Sequence, residues 1–158
     1  MAKAKNTWSK DFYEYVKKQV TEVVIENVVS YVYATMQRMV EEVVYDAYSP
    51  TEYVRRGIND GLADVSNFEF KITDFNTNGF TIFIWNNTPI SPIGDNIGED
   101  LDEIIVEGDR YTWENSKIYA LQPYPRDFYD ATMYELIKNG TLYSSLKSKL
   151  QARGIFIV

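Results

Sequence analysis

From Asp11 to Ala47 the chain runs without Gly or Pro, and its stripe positions fall at Phe12, Val16, Val20, Val23, Val24, Val28, Tyr31, Val32, Thr35, Met39, Val43 and Ala47. Steps of three and four place one apolar stripe along a helix. The richness in valine argues for strand instead. However, the doublets Val23-Val24, Val28-Val29 and Val43-Val44 are separated by polar residues and do not follow a period of two. Spacing overrules composition, and a helix is expected over the whole stretch. Asp11 stands where it can cap the start, with Glu14 three residues on to complete a capping box. Such a helix is on the order of 50 Å long. That exceeds the core of so small a domain, so the helix is expected to project or to be clasped by neighbouring copies.

The pattern changes after Ala47. Pro50 disfavours helical geometry at Ser49, so the helix should stop near there. Gly57 and Gly61 mark a turning segment that ends in Leu62. Asn67 to Trp85 reads as a β-hairpin: Phe68, Phe70 and Ile72 alternate with Glu69, Lys71 and Thr73, and Asn76-Thr77-Asn78-Gly79 supplies the turn. On the return, Phe80, Ile82 and Ile84 alternate with Thr81, Phe83 and Trp85. That strand is therefore apolar on both faces, one for the long helix and one for another element or subunit.

Asn86 to Asp100, with Pro89, Pro92, Gly94 and Gly98, is a loop of roughly fifteen residues. Leu101, Ile104 and Ile105 fit a short helix closed by Glu107-Gly108, and Ile118 to Leu121 is a strand candidate. Gln122 to Arg126, with two prolines, must be extended. Asp127 then opens a helix with Phe128, Thr132, Glu135 and Leu136 in register, stopped by Asn139-Gly140. A further helix lines up Leu142, Leu146 and Leu150; Gly154 ends it, and Ile155 to Val158 is a candidate edge strand. The sum is an α+β fold: a long N-terminal helix packed on a small antiparallel sheet, with short C-terminal helices. Residues 1–10 are expected to form a flexible arm carrying Lys3, Lys5 and Lys10 around Trp8, and residues 11–158 a single domain.

Composition narrows the chemistry. The 158 residues include neither cysteine nor histidine, which removes thiolate chemistry, the commonest general base and the commonest metal ligand. Carboxylate catalysis is the one enzymatic route left, and nothing in the spacing of the acids singles out a facing pair. The acids at Asp95, Glu99, Asp100, Asp102 and Glu103 do not follow the calcium-loop spacing. No phosphate-cradling glycine motif is present, and Arg55-Arg56 stands without surrounding cations. No enzyme activity, metal or cofactor is expected. The start of the chain shows no apolar h-region, and no run is long enough to cross a bilayer. Thirteen tyrosines suit half-wet contact surfaces, whether at interfaces or roofing the core.

Charge is placed unevenly within the net −7. Between Ile72 and Asp109 there is no Lys or Arg, but there are eight acids: Asp74, Asp95, Glu99, Asp100, Asp102, Glu103, Glu107 and Asp109. From Lys117 onward six basic residues face three acids. Blocks of opposite sign suit head-to-tail complementarity between copies, although a solvated acidic loop is the simpler reading of any one residue.

The order of pieces resembles the small neck and tail-completion proteins of tailed bacteriophages, the minor tail components of the head-tail joint. The matching pieces are Ser49-Pro50 through Tyr53, Arg55, Arg56, Gly57 and Gly61-Leu62; then Ile105-Val106-Glu107-Gly108; then Gln122-Pro123-Tyr124-Pro125-Arg126-Asp127-Phe128. They follow a long helix, and the resemblance covers the chain from about Phe12 to Leu150. Two departures stand out: the Thr-Gly pair usual after the proline is replaced by Glu52-Tyr53 with Arg55-Arg56, and the loop from Thr88 to Asp100 is longer and more acidic.

The resemblance implies a virion structural protein, made in the bacterial host cytoplasm. It would form a homo-oligomeric ring, commonly of six copies, between the head connector and the tail proteins. DNA would pass through the ring without specific binding, and no membrane is involved. On that footing Arg55, Arg56 and Arg126 are candidate donors to acids of an adjoining copy, and Tyr53, Tyr124 and Phe128 candidate anchors; a core place for Phe128 is the competing reading. Asp95, Glu99, Asp100, Asp102 and Glu103 are candidate channel-lining acids that repel the DNA backbone. The alternative is a small carbohydrate- or protein-binding module of a virion or cell surface, using Trp85, Trp113 and Tyr111.

Overall fold

The computed structural model describes residues 7–47, 56–76, 79–89, 101–108 and 124–156. Helix α1 is continuous and built from four pieces, Thr7–Val23, Val24–Val29, Ser30–Met39 and Val40–Tyr45. In the second and fourth the backbone widens to i→i+5 turns; the last is closed by Asp46 N–H donating to the Glu41 carbonyl at 2.9 Å. Spanning 39 residues, α1 is roughly 58 Å long. The wide turns contain the doublets Val28-Val29 and Val43-Val44, where β-branched side chains crowd the preceding turn. Valine's poor fit to a helix is thus expressed as local widening rather than as a strand.

Each wide turn accommodates an extra residue, so the inward face moves along by one position. Val29, Met36, Val40 and Val44 join Val20, Val23, Val24, Val28, Val32, Thr35 and Met39 in the interior. The even 3.6-residue stripe misses those four. It also assigns Val43 and Ala47 inward, whereas Val43 is half-buried and Ala47 exposed. Tyr31 lies on the rim and Phe12 lies beyond the covered part of the helix, both exposed. The helix begins at Thr7, so Asp11 sits inside it, exposed, and the expected capping box of Asp11 and Glu14 does not form the start. Its far end comes at Tyr45, before Ser49-Pro50, which lie outside the described residues.

The chain then turns through Gly57 (φ +59°) to Ala63 and enters a single 3-10 turn, Val65–Asn67. Strands β1 (Phe68–Asn76) and β2 (Gly79–Asn86) pair antiparallel as expected, with Phe70 opposite Ile84 and Ile72 opposite Ile82. Phe68, Phe70, Ile72, Phe80, Ile82 and Ile84 pack toward α1. A bulge between Thr73 and Asn76, with Asp74 at φ +54°, bends β1 before the turn. Thr77 and Asn78 lie outside the described residues.

Helix α2 (Leu101–Glu107) is followed, after residues not described, by α3 (Phe128–Asn139) and α4 (Thr141–Ala152). Asp127 caps α3 by accepting from Asp130 N–H at 2.9 Å, and Gly140 at φ +59° ends it. Helix α3 packs against the Ser30–Met39 part of α1, and α4 returns along its first half. The direction of α4 is fixed at both ends. Thr141 Oγ1 meets the Tyr31 hydroxyl at 3.0 Å; Arg153 donates to Glu22 at 2.8 Å and Glu26 at 3.2 Å. The pair α3–α4 therefore runs antiparallel to α1.

Two apolar clusters result. The first joins Val20, Val23, Val24, Val28, Val29 and Val32 with Leu136 and Leu150, with the hairpin packed against it. The second joins Met36, Met39, Val40 and Val44 with Leu62, Ala63, Phe68 and Phe128. Tyr33 touches both, and its ring meets Phe68 edge-on at 5.4 Å.

The edge strand expected from Ile155 does not form within the described residues. Instead Ile155 N–H turns back to the Leu150 carbonyl at 2.9 Å over Gly154 (φ +77°). Ile155 packs into the first cluster and Phe156 stays exposed. The expected strand at Ile118 to Leu121 lies outside the described residues.

Candidate functional site

A buried polar junction holds the middle of the molecule together. Asn86, at the end of β2, is 1% exposed. Its Nδ2 donates to the Leu62 carbonyl at 2.8 Å, and its Oδ1 accepts from Thr88 N–H at 2.9 Å and from the Thr88 hydroxyl. The backbone N–H of Asn86 donates to the Tyr129 hydroxyl at 2.8 Å, and that hydroxyl donates to Asp102. One chain of hydrogen bonds thus ties the Gly57–Ala63 segment, β2, α2 and α3. Helix α2 also lies directly on the proline segment: Arg126 N–H donates to the Ile105 carbonyl at 3.0 Å. Gly108 has φ +69°, and a Cβ there would stand 2.3 Å from Pro125 N. The Ile105-Val106-Glu107-Gly108 motif and the Tyr124-Pro125-Arg126 stretch are therefore in contact.

This packing redistributes the expected interface residues. Phe128 is 0% exposed, stacked on Tyr129 at 4.3 Å within the second cluster, so it is a core residue and not a surface anchor. Arg126 is buried as well, with its backbone N–H bonded to the Ile105 carbonyl. Asp102 is buried at the junction, which removes it from the channel-lining acids; Glu103 remains exposed on α2. Arg56 is half-buried, donates to the Pro89 carbonyl at 2.9 Å and lies 4.0 Å from Asp60. Of the expected anchors Tyr124 is at the surface, 65% exposed. Tyr53, Arg55, Asp95, Glu99 and Asp100 lie outside the described residues, as do Tyr111 and Trp113; Trp85 is half-buried.

Among the described residues, exposed apolar side chains gather on two helices, besides Ile58, Phe83 and Phe156 elsewhere. At the start of α1 the side chains of Lys10, Asp11, Phe12, Glu14 and Tyr15 are exposed, and the first fully buried position is Val20. Phe12 and Tyr15, three apart, share a face that is 68% and 58% exposed. Between them and the body, Val16 packs against the first cluster, and Arg153, at the end of α4, donates to Gln19 at 3.4 Å and to Glu22 at 2.8 Å. Periodicity signals the stripe there but cannot show which of its positions stay exposed.

The second surface is the outer face of α3. Met133, Tyr134 and Ile137 are exposed while Phe128, Thr132 and Leu136 face inward. Sequence reasoning missed this face. Its signal is a helix with apolar residues at spacings of three and four on both sides.

Beside the α3 face Glu135 is paired with Arg38 and Lys138. Arg38 joins α1 to α3, donating to Glu42 at 3.0 Å and Glu135 at 3.4 Å, and these acids, Glu42 foremost, raise its pKa. Burial, helped by Glu69, pushes the Tyr33 hydroxyl above its usual range. Asp64 accepts from Ser66 Oγ at 2.7 Å, Ser66 N–H at 2.9 Å and Asp60 N–H at 2.7 Å, which hold its carboxyl below the ordinary carboxylate value. Among the described residues no group of acids is arranged to hold a metal ion, and no helix is long and apolar enough to cross a membrane.

A family model described as YomN matches residues 9–152. No curated protein and no solved structure matches the chain.

Proposed function

The chain belongs to the YomN family, and from that premise we propose that it is a non-enzymatic structural protein of a tailed phage particle. In this reading it forms a ring of identical subunits at the head-tail joint. The family name is one carried by phage-derived proteins, which supports the phage class at the coarse level. The observation that carries the finer reading is the exposed apolar pair Phe12 and Tyr15 near the start of α1. A monomer gains nothing by leaving such a face in water, whereas a ring covers it with a neighbour.

The ring surrounds the DNA passage between connector and tail. In this reading exposed acids such as Glu103 keep the phosphate backbone from adhering. Mass photometry of the purified protein, followed by negative-stain microscopy, tests the proposal. Closed rings are expected, and the polypeptide should be found by mass spectrometry in purified particles. A protein that stays monomeric at high concentration and is absent from particles overturns it.

A further inference from the structure

We propose that Asn139 is a site of spontaneous deamidation, a covalent ageing step at the corner between α3 and α4. Asn139 is the last residue of α3, and Gly140 follows it at φ +59°. Both are exposed. Glycine has no side chain to shield its amide nitrogen, and a Cβ built at Gly140 would find nothing within 4 Å. That nitrogen is held by a long bond, Gly140 N–H to the Ile137 carbonyl at 3.3 Å. The reacting side-chain amide is held by another, Asn139 Nδ2 donating to Glu135 at 3.3 Å. Opening two such bonds slows the reaction by no more than about thirtyfold against the unfolded chain. Asn86 is the contrast. It is 1% exposed, its Nδ2 donates to the Leu62 carbonyl at 2.8 Å, and Asn87 rather than glycine follows it.

The step needs only water. The Gly140 nitrogen bonds to Asn139 Cγ, the Cγ–Nδ2 bond breaks, and ammonia leaves with the Gly140 amide proton. Water then opens the imide at either carbonyl, which leaves a carboxylate in normal or isoaspartyl linkage. Position 139 thereby changes from a donor to Glu135 into a like charge one turn away. The new charge also stands at the carbonyl end of α3, where the helix is already negative. Glu135 is the acid that Arg38 of α1 reaches at 3.4 Å, so the modification bears on the tie between α1 and α3.

The test keeps the native full chain warm at mildly alkaline pH, beside the same chain unfolded in urea, and maps both by mass spectrometry at intervals. The dipeptide recurs at Asn78-Gly79, and mapping keeps the two sites apart. In the native protein the Asn139 peptide should gain the acid in both linkages, within about thirtyfold of its rate in urea, while Asn86 stays intact. Asn139→Gln, whose longer side chain closes a ring far more slowly, should fold and melt as the wild type and show no conversion at 139. An Asn139 that stays intact in the native protein while converting in urea overturns the site, and so does one that converts in neither. Asn139→Asp carries the product's charge. It should melt below wild type at neutral pH, and the gap should close in acid as the facing carboxylates take up protons. Equal melting at neutral pH overturns the effect on Glu135.

Discussion

Phe128 separates core from surface within one motif. Its side chain has no exposed area, whereas Tyr124, four residues earlier, stands 65% exposed. Phe128→Ala should therefore cost about 3–5 kcal/mol in a urea titration, and Tyr124→Ala should stay within about 0.5 kcal/mol. The order Pro-Tyr-Pro-Arg-Asp-Phe showed that a helix opens here, because Asp127 caps it. It could not show which aromatic turns inward, since that depends on α2 lying across Pro125. Asp64 gives a pH prediction. Its folded pKa is depressed below the unfolded value of about 3.9. The carboxylate's contribution is thus complete above the unfolded value and is lost as pH falls through the folded one. Asp64→Ala should flatten the fall in melting temperature of the native protein between about pH 5 and pH 3. A melting curve with the same acid dependence in both proteins would contradict this.

At the scale of elements, the hairpin, the short α2 and the two C-terminal helices were legible because turn chemistry and period agree there. Gly140 at φ +59° and the Asp127 cap are local signals read locally. The long helix was legible in extent and misjudged in phase, since each i→i+5 turn moves the inward face by one residue. A deletion therefore distinguishes the pieces of α1. Removing Asn27, a half-buried residue of the first wide turn, converts that turn to ordinary α geometry and keeps both apolar clusters in phase. Removing exposed Ala34 from the regular Ser30–Met39 piece instead rotates every following side chain by about 100°. The first deletion should retain a cooperative melt and the second should lose it, as followed by circular dichroism. Similar melts for both would show that the wide turns are not the accommodating points.

At the scale of the molecule, the acidic block looked uniform in the sequence because charge says nothing of depth. The fold draws Asp102 inward to Tyr129 and leaves Glu103 outside, a division made by contacts far apart in the chain. The last helix is similarly remote from its partner. Arg153 clamps Glu22 across 131 residues and Thr141 meets Tyr31 across 110. Arg153→Ala should loosen that clamp, seen as faster amide exchange in Thr141–Ala152 with the hairpin unaffected. Equal exchange in both proteins would show that apolar packing alone holds α4. The same long reach governs synthesis. The valine stripe of the first helix leaves the ribosome well before the segment that roofs it, so the nascent chain carries a bare greasy rod through most of translation. Such a chain needs a holding chaperone, or slow elongation at its end, if it is not to find a wrong partner first.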